Sequence, residues 1–144
     1  MYIVSACLLG CDCKYSGGNN HNEAVTQFTK EHKYIMICPE TAGGLKSPRP
    51  PAEIVNGRVI DKEGTDVTET FERGAGLSLK AAGDESDRTG EPIEGAILKA
   101  NSPSCGCGRI YDGTFTGTLT DGYGIFAAML KEAGIPLMTE EDFD

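Results

Sequence analysis

Four short apolar runs punctuate the chain, at residues 2–6, 34–37, 95–100 and 136–139, and glycine, proline or a charged residue soon follows each. Runs this short, apolar almost throughout, predict strands buried on both faces. Between them lie stretches with helical spacing. Asn22 is placed to cap a helix running to about residue 30, with Val25, Phe28 and Thr29 on one face. Thr65 or Asp66 can cap a second, in which Val67, Phe71, Ala75, Leu79 and Ala82 recur near 3.6 residues. Gly74 and Gly76 weaken that helix locally and suggest close packing on the sheet. A third starts after Gly122-Tyr123-Gly124 and runs to about residue 133, with Ile125, Ala128 and Met129 inward and Gly134 as its stop.

Breakers mark the rest. Gly43-Gly44 and Pro48-Arg49-Pro50-Pro51 exclude regular structure from 41–51, because proline fixes φ and removes donors. Asn56-Gly57 predicts a type I′ hairpin over 54–60, and Asp112-Gly113 a second over 110–118. Residues 83–92 are charged and read as a solvated connection. Strands alternating with helices define an α/β class: a single domain, a mostly parallel open sheet with helices on both faces, and two β-hairpin excursions. Right-handed crossovers then place the strand C-termini along one edge, where open sheets bind ligands.

Composition adds constraints. The 144 residues are enough for one domain with its own core, 39% are hydrophobic, and the 19 glycines cluster beside turns and cysteines. A formal charge of -9 argues against a nucleic-acid polymer as partner, since it repels phosphate. The apolar start has no basic n-region, and no stretch approaches the ~20 apolar residues of a membrane span. The expected setting is cytoplasmic, without membrane association. There, six cysteines point to metal or thiol chemistry before a disulfide framework.

Cys7, Cys38 and Cys105 each follow a predicted strand, 31 and 67 residues apart. That spacing is unlike a ferredoxin loop and suits a site assembled in three dimensions. Their settings are Ser5-Ala6-Cys7-Leu8-Leu9-Gly10, Cys38-Pro39-Glu40 and Ser102-Pro103-Ser104-Cys105-Gly106, where small residues let backbone N–H groups approach sulfur. The residues alone leave alternatives open: buried inert thiols, a structural zinc, or a closed site that also takes Cys11, Cys13 or Cys107. Tight Cys105-x-Cys107 spacing disfavours zinc, and the reading preferred for Cys11, Cys13 and Cys107 is peripheral thiols.

Together with Gly43-Gly44-Leu45, Pro48-Arg49 and Ile110-Tyr111-Asp112-Gly113, these motifs resemble a short bacterial family related to thiouracil desulfidases, along nearly the whole chain. The resemblance implies a 4Fe-4S cluster on Cys7, Cys38 and Cys105 with one iron free of protein thiolate. It also implies non-redox removal of sulfur from a thiolated pyrimidine base or nucleoside. An open iron acts as a Lewis acid toward a soft thiocarbonyl sulfur, so that water attacks the carbon and hydrogen sulfide is released. Such chemistry needs a base and proton donors. Glu40 is the first candidate base, Ser102 and Ser104 position it or the water, Lys99 is a possible donor, and Arg49 meets developing negative charge. The bland alternatives are a surface carboxylate at Glu40, turn-forming serines, and an arginine that braces its own loop. His21 and His32 take no metal role, and the acidic 140–142 stretch reads as a solvated end. The competing functional class is a non-enzymatic metal-binding protein with zinc or a fully ligated cluster.

Overall fold

A computed structural model describes residues 1–143 of the chain. β1 (Tyr2–Ser5) is central, and a single 3-10 turn, Ala6–Leu9, leaves it. α1 (Glu23–Glu31) follows, capped by the Asn22 side chain, which accepts from Val25 N–H at 3.0 Å as the sequence predicts. Next come β2 (Tyr34–Ile37) and a one-turn helix, α2 (Pro39–Ala42). α2 carries regular structure one residue pair into the segment expected to be irregular. Proline at its first position explains this, because its preset φ starts a turn and only its interior position breaks one.

The first hairpin pairs β3 (Ala52–Val55) with β4 (Arg58–Asp61), and Asn56 and Gly57 at φ 51° and 78° make the expected type I′ turn. α3 (Thr68–Thr89) is longer than predicted. The charged stretch read as solvated connection is its last two turns, held by Lys80–Asp84 and Glu85–Arg88 pairs on an exposed face. Gly90, at φ 73°, ends it. β5 (Gly95–Leu98) is followed by the second hairpin, β6 (Cys107–Tyr111) with β7 (Leu119–Tyr123). This hairpin is wider than expected. Its returning strand takes in Gly122 and Tyr123, which the sequence assigns to a helix entrance. α4 (Ile125–Glu132) and β8 (Leu137–Thr139) complete the order.

The main sheet runs β2-β1-β5-β8, all parallel. Alternate side chains enter opposite cores, the signature of a sheet covered on both faces. Ile3, Ala96 and Leu98 meet Ala75 and Ala82 of α3 and Phe126, Ala127 and Leu130 of α4. Val4 and Ile97 meet Leu8 and Val25 on the other side. α4 keeps the expected Ile125 and Met129 half-buried against the α3 side, exposes Ala128, and centres its buried face on Phe126, Ala127 and Leu130. Its rotation is set at the first turn, where Phe126 and Ala127 N–H both donate to the Ser104 carbonyl. Among the described residues, no helix is long and apolar enough to cross a membrane.

Gly74 marks close packing, but against α2. A Cβ there would fall 1.8 Å from the Pro39 carbonyl oxygen, whereas one at Gly76 would meet nothing within 4 Å. Gly74→Ala is therefore expected to lower unfolding stability by about 3 kcal/mol through overpacking. Gly76→Ala should raise it by up to about 1 kcal/mol through helix propensity. Urea midpoints of the two variants check this. Equal midpoints would show that α2 is free to shift.

Candidate metal centre and active site

Adjacent strands deliver the thiols. Cys7 lies in the 3-10 turn after β1, Cys38 caps α2 directly after β2, and Cys105 sits in the turn between β5 and β6. Because the strands are parallel neighbours, their exits open on one edge of the sheet. All three cysteines line a single cavity of about 430 Å³, together with Glu40, Arg49, Lys99, Ser102 and Ser104. The three proposed ligands and the five polar candidates from the sequence therefore meet in one place.

The Cys105 turn is fastened from both sides. Ser102 Oγ accepts from Cys105 N–H at 2.8 Å, and the first N–H groups of α4 donate to Pro103 and Ser104 carbonyls. Gly124 permits this contact, since a Cβ there would lie 2.4 Å from the Ser104 carbonyl carbon. The Ser102 hydroxyl serves the turn, at 3.4 Å from the Ser104 hydroxyl.

Glu40 is clamped. Its Oε1 accepts from Arg49 Nε and Nη2 at 3.2 and 3.1 Å, and its Oε2 accepts from Ser104 Oγ at 2.7 Å. Both charged side chains are largely buried, at 8% exposure for Arg49 and 16% for Glu40. Arg49 also donates to the carbonyls of Lys46 and Cys13 and to Ser47 Oγ. All five guanidinium N–H groups thus have protein acceptors. The sequence expectation that Arg49 meets substrate charge directly has no free donor behind it; the guanidinium fixes Glu40 and the Cys13 loop. Lys99 Nζ lies 3.0 Å from Glu140 Oε2 and 2.9 Å from the Ala100 carbonyl, while Glu140 Oε1 accepts from Ala100 N–H at 2.7 Å. The acidic end is therefore not simply solvated, as Glu140 folds back to brace the strand exit.

Burial pushes the Cys105 thiol up to about 12 and raises Cys7 as well; a hydrogen bond from Ser5 opposes the shift at Cys105, and one from Asn20 at Cys7. Cys38 is lowered to about 6, first by a hydrogen bond from the Cys13 thiol, which is raised in turn, and then by Thr41. Desolvated thiols of this kind ionise when a cationic centre replaces the lost water, and a coordinating metal supplies that charge. Among the described residues no three His, Cys, Asp or Glu side chains close on one point for a single ion. A donor set spread around a cavity suits a polynuclear centre, whose thiolates bind different metal atoms.

Cys13 departs from the peripheral reading, because it lines the cavity. Cys11 and Cys107 do not; Cys11 approaches Met36 and Cys107 faces the Cys105 carbonyl. Sequence reasoning also missed Ser5, Asn20 and Thr41, each within 3.2 to 3.4 Å of a cysteine sulfur. For Thr41 a signal existed, since it stands three residues after the helix-capping Cys38.

A parallel open sheet whose strand exits bring three thiols and an ion-paired carboxylate into one cavity defines a thiolate-centred α/β protein. The model of the 2-thiouracil desulfurase family matches residues 2–142. The chain accordingly belongs to that family. It is 38% identical to a Bacillus subtilis (strain 168) protein, YbbK, described as uncharacterised, over all of this chain and 98% of that one. A solved structure titled as the 4Fe-4S-dependent thiouracil desulfidase TudS matches with a TM-score of 0.85 and 41% identity, over 98% of this chain and 91% of that one.

Proposed function

We propose that this protein hydrolyses the carbon–sulfur bond of a thiolated pyrimidine, base or nucleoside, releasing hydrogen sulfide and the oxo product without net redox change. Cys7, Cys38 and Cys105 hold a 4Fe-4S cluster in this reading. The observation that carries it is the convergence of those thiols with the Glu40–Ser104 pair in one cavity. Family membership and the likeness to TudS support it.

When bound, the cluster supplies an iron without protein thiolate, a Lewis acid for the thiocarbonyl sulfur. The protein supplies the proton transfers. Water adds its oxygen to the carbon and its two protons leave on sulfur, so one group must take a proton and give it back. Glu40 is held for this by Arg49, and Ser104 gives its hydroxyl to Oε2, forming a path toward the Cys105 side of the cavity. Lys99 lines the cavity along with Lys14 and Lys62, and Glu140 fixes it against the Cys7 side.

One observation favours a second reading. Cys13 lines the cavity and its carbonyl lies 4.0 Å from Cys38 Sγ, so among the described residues it is the one extra thiol placed to close the open iron. A fully ligated cluster would make the protein a non-catalytic carrier. Both readings are tested by anaerobic reconstitution with iron and sulfide, then sulfide release over a panel of thiouracils and thiouridines. The expected result is about four irons per chain and turnover of at least one compound, with Cys13→Ser keeping both. Loss of the cluster in Cys13→Ser, with no turnover in the parent, would establish the carrier.

A further inference from the structure

The three cysteine sulfurs share a feature that their motifs do not predict. Each has one side-chain donor from outside its own residue's immediate turn or from the next turn of its helix. Ser5 Oγ lies 3.4 Å from Cys105 Sγ, Asn20 Nδ2 lies 3.4 Å from Cys7 Sγ, and Thr41 Oγ1 lies 3.2 Å from Cys38 Sγ. These distances suit O–H···S and N–H···S bonds, which are longer than bonds to oxygen because sulfur is larger.

The direction of two of these bonds is enforced. Ser5 is buried at 3% exposure in an otherwise apolar strand, and its oxygen already accepts from Lys99 N–H at 3.0 Å. With that lone pair occupied by a donor, the hydroxyl hydrogen turns toward sulfur. Asn20 Oδ1 faces the Lys14 ammonium at 3.4 Å, which leaves the NH₂ end for Cys7. The donors come from β1, from the loop before α1 and from α2, so no single local motif produces the pattern.

We infer that Ser5, Asn20 and Thr41 are positioning residues, one for each ligand thiolate, that withdraw charge from the sulfurs and tune the bound cluster. This inference rests on the cluster reading above. Hydrogen bonds to coordinated sulfur stabilise the more reduced cluster and so raise its reduction potential. They also leave less electron density on iron, which strengthens its hold on an incoming sulfur. Outer partners of metal ligands change affinity or activity by roughly 10- to 100-fold when removed.

The test uses the full-length protein loaded anaerobically with iron and sulfide, as parent, Ser5→Ala, Thr41→Val and Thr41→Ser. Thr41 is exposed, so its isosteric valine variant carries the test should Ser5→Ala fold poorly. Iron content is expected to match the parent, and the reduction potential, from an absorbance-monitored titration, to fall in Ser5→Ala and Thr41→Val. kcat/KM on a thiopyrimidine should drop about tenfold in each, and Thr41→Ser should restore both quantities. A loaded parent with unmoved potentials in both variants overturns this inference alone. A Thr41→Val protein that loses its iron overturns it too, since tuning would then be holding. A parent that takes up no iron defeats the cluster reading and this inference together.

Discussion

Cys105→Ser, prepared without oxygen and offered iron and sulfide, is expected to retain less than a tenth of the parent's iron and to release no sulfide. Cys7→Ser and Cys38→Ser should behave alike. Serine keeps the shape but replaces a soft thiolate with a hard, poorly ionised oxygen, which iron–sulfur centres bind far less well. The effect should be all-or-none because each thiol comes from a different strand exit and each thiolate binds a different metal atom of the cluster. Cys105 is the strictest case, being buried at 4% exposure in a turn fixed by Ser102 and by the start of α4. Cys11→Ser and Cys107→Ser should keep the cluster, since neither side chain reaches the cavity lining. Iron determination and the visible absorbance of the loaded protein read the result. Retention of the cluster by Cys7→Ser, with its loss from Cys107→Ser, would refute the ligand assignment.

The second large effect is expected at Glu40. Glu40→Gln should lower kcat by about 10²- to 10⁴-fold, the usual contribution of a positioned acid–base group. Iron content should stay near the parent's. Glutamine still accepts through one oxygen but cannot carry a proton between water and the leaving sulfur. The carboxylate is also half of a largely buried pair with Arg49, and removing one partner of such a pair destabilises by about 3–5 kcal/mol. Urea unfolding of Glu40→Gln must therefore accompany the rate measurement. A folded, iron-loaded variant with parental kcat would remove Glu40 from the chemistry and leave it a brace for the arginine. Ser104→Ala gives the graded companion, losing the 2.7 Å bond to Oε2 while keeping the ion pair.

Much of the scaffold was legible because its causes are local. A cap such as Asn22 or a turn such as Asn56-Gly57 depends on backbone conformations that few residue types favour. The buried strands announced themselves as apolar runs. The misses were local too, but of another kind. The end of α3 carries no apolar stripe because that part projects into solvent, and surface ion pairs hold it where periodicity is silent. The rotation of α4 escaped because bonds to the Cys105 turn, and not its own hydrophobic pattern, set it.

The amino-acid order determined the parallel α/β class, the turn positions and the arrival of Cys7, Cys38 and Cys105 at strand exits. These follow from side-chain size, backbone preference and the handedness of crossovers. Only the tertiary structure decided which polar groups face those sulfurs. Ser5 meets Cys105 across 100 residues of chain, and Glu40 meets Ser104 across 64. Contacts at such separations are selected by how sheet edge, hairpins and helix ends pack together, so no local spacing records them. The same packing turned Cys13 inward, enclosed Arg49 among five acceptor contacts and folded Glu140 back against Ala100.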